Sequence, residues 1–118
     1  MKRKFRITQA RDYKLLKNDG KSEHHKLAVL VYIPNNLGYS RMNCVTSKAV
    51  GNAVTRNLIK RRMKACITNS WDNVITGWDL VFYARSAGTF ASYNDWHEAV
   101  KKLLQNAGLF KNYQIDAN

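Results

Sequence analysis

Seven consecutive residues, LAVLVYI from Leu27 to Ile33, carry no charge, and the run stops at Pro34-Asn35-Asn36. A run this short, rich in β-branched residues and closed by turn formers, reads as a strand. Its successive side chains are apolar, so at least one face of the sheet must be covered by a second layer. The cover is legible near the other end of the chain. Trp96, Ala99, Val100, Leu103, Leu104 and Ala107 recur at spacings of 3 and 4, Ser92 and Asp95 match a capping box, and Gly108 follows as a stop. The sequence therefore requires a sheet with at least one helix laid on it.

The remaining elements fit that frame. TQARDYKLLKNDG predicts a first helix with Thr8 as N-cap, Tyr13 and Leu16 inward and Gly20 just past its end. Upstream, residues 1–7 form a basic arm. RMNCVT, residues 41–46, follows the Pro34 to Gly38 turn closely enough to pair antiparallel with the first strand. LVFYAR, residues 80–85, makes another strand, and Lys21 to His24 a short extra one. KNYQIDAN, residues 111–118, is expected to fray. With 118 residues and no repeat, linker or low-complexity block, residues 1–118 make a single α+β domain: one small layer of strands with helices packed on it.

Charge points to the partner. Lys and Arg number 20 against 8 Asp and Glu, for a net charge of +12 and a pI near 10.0. A compact body this basic repels itself unless a polyanion lies nearby, which puts nucleic acid first and an anionic membrane second. No carboxylate occurs between Glu23 and Asp72, and inside that span lies KAVGNAVTRNLIKRRMKA, residues 48–65, with six Lys or Arg. At about 100° per residue, Arg56, Asn57, Lys60, Arg61 and Lys64 fall within one arc of roughly 140°. Val54, Leu58, Ile59, Met63, Ala65 and Cys66 take the rest, and Arg62 lands among them and is expected to reach for the edge. An ordinary solvated helix face interleaves Glu with Lys at i and i+4; this one has no acid to relieve it. A phosphate backbone would supply the missing negative charge.

Asn57 within the cationic arc can both donate and accept a hydrogen bond, and the segment has no Trp or Phe to anchor in lipid headgroups, so RNA is favoured over a membrane. No stretch of about 18 apolar residues could span a bilayer, and no apolar run follows MKRKFRIT as an export signal would require, so the chain is expected in the cytoplasm. Cys44 and Cys66 have no partner at zinc spacing and read as buried free thiols. His24 and His25 are adjacent on an extended segment and point to opposite sides, which argues against a protein nuclease using both as acid and base. The bland alternative is a structural RNA-binding protein of ribosomal type.

One motif separates these readings. SKAVGNAVTRNLIKRR, Ser47 to Arg62, resembles the signature of the protein subunit of bacterial ribonuclease P, an R-N-x-x-K-R helix preceded by K-x-x-G-N-A-V. R-x5-D-Y from Arg6 to Tyr13, the strand ending at Arg85 and S-Y-x-x-W-x-x-A-V-K-K-L-L from Ser92 follow in the family's order. The resemblance implies a four-stranded sheet of ribosomal-protein-like α/β sandwich type, with a left-handed β-α-β crossover through the basic helix. It implies that a partner RNA with Mg2+, held mainly by that RNA, removes the 5′ leader of precursor tRNA, and that the protein supplies no catalytic side chain and no bound cofactor; no stable protein partner is inferred. The RNA-facing residues it implies are Lys48, Asn52, Arg56, Asn57, Lys60, Arg61 and Lys64. The leader cleft falls on Tyr13, Lys17, Val29, Val31 and Arg85. Two positions depart from the family pattern: Lys17 stands where a second aromatic is common, and Arg62 where an apolar residue is.

Overall fold

The computed structural model describes residues 1–111. In chain order the elements are α1 (Ala10–Asp19), β1 (Lys21–His24), β2 (Ala28–Pro34), β3 (Arg41–Val45), α2 (Ala53–Ser70), β4 (Trp78–Ala84) and α3 (Tyr93–Asn106). The strands form one sheet in the order β1-β2-β4-β3, giving the α+β architecture expected. β1 and β4 flank β2 in antiparallel pairing, whereas β3 runs parallel to β4, from Arg41 opposite Asp79 to Val45 opposite Tyr83.

That last pairing corrects the expectation that the 41–46 strand would turn back onto the 27–33 strand. Both edges of β2 are already taken, and a long-range ion pair holds β3 elsewhere. Arg41 forks onto Asp79, Nε to Oδ1 at 2.9 Å and Nη2 to Oδ2 at 2.6 Å, and Asn35 Nδ2 donates to the same Oδ1 at 2.8 Å. A bidentate guanidinium–carboxylate contact fixes direction as well as distance, so the turn after β2 leads to the far edge of the sheet.

The apolar run is covered on both faces. Ala28, Leu30 and Tyr32, with Met42, Cys44, Leu80 and Phe82, pack under α2 and α3 against Ile59, Met63, Trp96, Val100 and Leu103. Val31, Ile33, Val45, Val81 and Tyr83 face the other way and meet Ile7, Tyr13 and Leu16 in a smaller cluster under α1. α3 begins with the expected capping box: the Asp95 N–H donates to Ser92 Oγ at 3.1 Å and the Ser92 N–H to Asp95 Oδ2 at 3.0 Å, which holds that carboxyl below its usual range.

α1 starts later than expected. Its N-cap position is Gln9, in extended conformation and without a side-chain cap bond, in place of Thr8. The cause lies just upstream: Ile7 is fully buried and its N–H donates to the Met42 carbonyl at 3.0 Å, so the chain stays extended alongside β3 before it can coil. The basic arm is accordingly fastened to the body, with Phe5 against the rings of Tyr39 and Trp71 at centroid distances of 5.8 and 6.1 Å. Of the tail expected to fray, residues 112–118 lie outside the described residues.

Candidate nucleic-acid interface

The approach to α2 is built by its own polar residues. Ser47 Oγ accepts the Ala49 N–H, Gly51 turns the chain at φ +143°, and Asn52 Oδ1 accepts the Thr55 N–H at 3.0 Å as the N-cap. Only glycine adopts that φ without strain. Arg56 then reaches back, its Nη1 donating to the Gly51 carbonyl at 2.9 Å. Lys48 and Asn52 thus sit in the turn and the cap that aim the helix, and part of the Arg56 fork is spent bracing them.

Along α2 the buried ridge is Ile59, Met63, Cys66, Ile67 and Ser70. Arg56, Lys60 and Lys64 are half-buried on the flank nearest β3; Lys64 and Lys60 lie close enough to Cys44 to oppose the burial that pushes its thiol up to about 12. Asn57 and Arg61 are exposed. Of the residues outside the cationic arc, Val54, Leu58 and Ala65 are exposed, Val54 by 78%, while Ile59, Met63 and Cys66 are buried. The sheet and α3 cover a narrower arc than the apolar residues span, so the solvent stripe carries apolar side chains between its cations. Arg62 does reach the edge, where Nη1 donates to the Ala91 carbonyl at 2.8 Å.

α2 itself has no carboxylate, and several acids elsewhere are engaged. Asp79 and Asp12 lie 2.6 and 3.5 Å from Arg41, Glu23 accepts the Tyr32 hydroxyl at 3.0 Å, and Asp95 serves the α3 cap. Among the described residues, no cation of α2 forms an ion pair with a carboxylate.

A second surface opens on the opposite face of the sheet. Tyr13, Lys14, Lys17, Ser22, Val31 and Tyr83 line a groove of about 570 Å³ between α1 and the strands. The Tyr13 hydroxyl donates to the Ile7 carbonyl at 3.2 Å and accepts from Asn43 Nδ2 at 2.6 Å, so its tip is anchored while the ring stays half-buried at the groove. Burial pushes the phenols of Tyr13 and Tyr83 above their ordinary range. Of the remaining cleft residues named from sequence, Val29 shares the face of Val31 but lies outside the groove lining, opposite Tyr83 in the sheet. Arg85 is exposed just past β4, its Nη1 3.3 Å from the His25 carbonyl. Tyr83, Asn43 and Lys14 were missed; alternation along 80–85 puts Tyr83 on one face with Val81 and was signal enough for that residue.

The histidines are not gathered. The His24 ring lies 3.4 Å from Ser22 Oγ, His25 Nδ1 accepts the Leu27 N–H at 3.1 Å, and His97 stacks on Tyr93. Among the described residues no group of three His, Cys, Asp or Glu could hold a metal ion, and no helix is long and apolar enough to cross a membrane.

Comparison with known proteins agrees with this geometry. The family model described as Ribonuclease P matches residues 1–108. The ribonuclease P protein component of Roseiflexus sp. is 34% identical over 94% of this chain and 92% of its own length, and that of Clostridium kluyveri 36% identical over 91% and 97%. Among solved structures, the Staphylococcus aureus RNase P protein superposes with a TM-score of 0.83 at 23% identity, covering 91% of this chain and 98% of that one. The Thermotoga maritima RNase P protein in complex with 1-(4-fluorophenyl)-2-thiourea gives a TM-score of 0.72 at 26% identity, covering 86% and 95%.

Proposed function

Because this chain belongs to the ribonuclease P protein family, the protein component of an endoribonuclease that matures tRNA 5′ ends, we propose that it holds two RNAs on two faces. α2 docks on the catalytic RNA through Arg56, Asn57, Lys60, Arg61 and Lys64, with Lys48 and Asn52 shaping the approach. The groove under α1 takes the 5′ leader of precursor tRNA, with Val31 and Tyr83 as its floor, Tyr13 as its anchored wall and Lys17 and Lys14 for leader phosphates; Arg85 and Val29 extend that face.

The observation that carries this is the division of charge. The engaged acids leave the acid-free helix as a cationic plate, and the sheet separates it from a groove that is apolar at its base and basic at its rim. Nucleic acid binds through phosphate contacts that position it, supplemented by aromatic and apolar contacts to bases. A purely structural RNA-binding protein of ribosomal type would need the plate but not the groove.

Cleavage chemistry is assigned to the RNA. The Mg2+ the reaction needs is assigned to the RNA as well, a reading supported by carboxylates already engaged within the protein: Asp12 and Asp79 by Arg41, Glu23 by Tyr32 and Asp95 by the α3 cap. The purified protein alone should leave precursor tRNA intact, and adding the catalytic RNA should restore 5′ processing at low Mg2+. Leader recognition is tested separately by comparing holoenzyme affinity for precursor and mature tRNA: Lys17→Ala and Tyr83→Ala should shrink the difference between them. Cleavage without RNA would refute the division of labour, and an undiminished difference would refute the groove.

A further inference from the structure

Phe90 is 95% exposed, an unusual position for a side chain that gains so much from burial. The segment that carries it is well held. Residues 89 to 93 run beside α2 in the direction of the helix: Thr89 Oγ1 lies 2.8 Å from the Val50 carbonyl oxygen, Arg62 Nη1 donates to the Ala91 carbonyl at 2.8 Å, and Cys66 Sγ lies 3.7 Å from the Tyr93 carbonyl. Just upstream, Gly88 sits so close to Trp96 that an added Cβ would fall 2.4 Å from the indole. The backbone that carries Phe90 lies between the anchors at Val50 and Arg62, beside the half of α2 in which Val54 and Leu58 are 78% and 36% exposed. Loss of loop freedom is thus largely met before any partner arrives.

We propose that Phe90 is a stacking platform for an unpaired base of the RNA that docks on α2. The proposal rests on the reading of α2 as an RNA-docking helix and adds to it a contact of a different kind. Charge selects the occupant. Arg61 and Arg62 flank the apolar stripe and α2 carries no acid, so a polyanion is drawn to it, whereas a second copy of a chain with net charge +12 is repelled. Asp95 and Glu98 line the groove on the α3 side of Phe90, together with His25 and Lys26, so phosphates approach from the α2 side. An aromatic ring offered among cations is how proteins hold single-stranded bases without reading their sequence.

The test uses the full chain with its catalytic RNA and compares Phe90→Ala, Phe90→Leu and Phe90→Trp. Stacking releases no counterions, so Phe90→Ala should weaken binding about tenfold at every salt concentration while the log-log salt slope stays that of the wild type. Phe90→Trp should retain affinity and Phe90→Leu should lose most of it. Wild-type binding by Phe90→Ala or Phe90→Leu overturns the platform. Arg61→Ala, run in parallel, separates the two claims: a changed slope there with no effect at Phe90 removes the platform and leaves α2 as the docking helix, and no effect at either site removes both. A photo-reactive phenylalanine analogue at position 90 should crosslink to an unpaired nucleotide; crosslinks to a second protein copy alone would also overturn the proposal.

Discussion

Arg61 is the residue at which the docking claim is most exposed to refutation. It lies in the open on α2, whereas Arg56 is braced on the Gly51 carbonyl and Arg62 on the Ala91 carbonyl. Arg61→Ala removes no buried atom from the Ile59 and Met63 ridge, and alanine is the best helix former, so the fold should stay intact. What goes is one cation. If it neutralises one phosphate, the slope of log affinity against log salt should flatten by about 0.7 to 0.9. Raising salt fourfold, from about 50 to about 200 mM, then shrinks the deficit of the variant by about threefold, since 4 to the power of about 0.8 is about 3. Filter binding or fluorescence titration of the catalytic RNA at several salt concentrations resolves a change of that size. Lys102→Ala, an exposed cation on α3, should leave the slope alone. Parallel salt lines for Arg61→Ala and wild type would return Arg61 to an ordinary solvated position and refute the phosphate contact.

Two further outcomes concern the frame that holds the site. Gly88→Ala should lower stability by roughly 1 to 3 kcal/mol through overpacking, because the new methyl would meet the fully buried Trp96 at 2.4 Å; an unchanged urea midpoint would show that the indole can shift. Burial pushes the Cys44 and Cys66 thiols up to about 12 and about 11, so both stay protonated at pH 8, and a thiol reagent should label them only when the chain is unfolded; rapid native labelling would contradict their burial.

The helices and strands were legible where the pattern is local. The α3 stripe and its capping box, and the uncharged run of β2, each lie within about fifteen residues of sequence, and the structure has them where the spacing put them. The partner of β3 was not legible, because the contact that decides it joins Arg41 to Asp79 across 38 residues, and charge complementarity between distant positions leaves no periodic trace. Thr8 failed as a cap for a related reason. Its chemistry suits the role, yet the buried Ile7 and its bond to Met42 hold the preceding backbone extended, and tertiary burial outweighs a cap worth about 1 kcal/mol.

The basic helix was half legible, and the half that failed is informative. A helical wheel gives the angle of each side chain but neither the width of the surface that covers it nor the point along the axis where cover stops. α2 has 18 residues and is about 27 Å long, while β3, the strand beneath its cationic flank, has 5 residues and spans about 17 Å. Angle matters as well as length: Leu58 and Ala65 are exposed in mid-helix beside the buried Ile59, Met63 and Cys66, on the side that neither the sheet nor α3 covers, and Val54 in the first turn shares that side, 78% exposed. Apolar residues outside a cationic arc are most often core on an amphipathic helix, and Val54 and Leu58 are not. Here they stand in the same exposed stripe as Arg61, and the proposed docking on RNA gives that mixture a use, since a face that meets both phosphates and bases needs cations and apolar groups side by side.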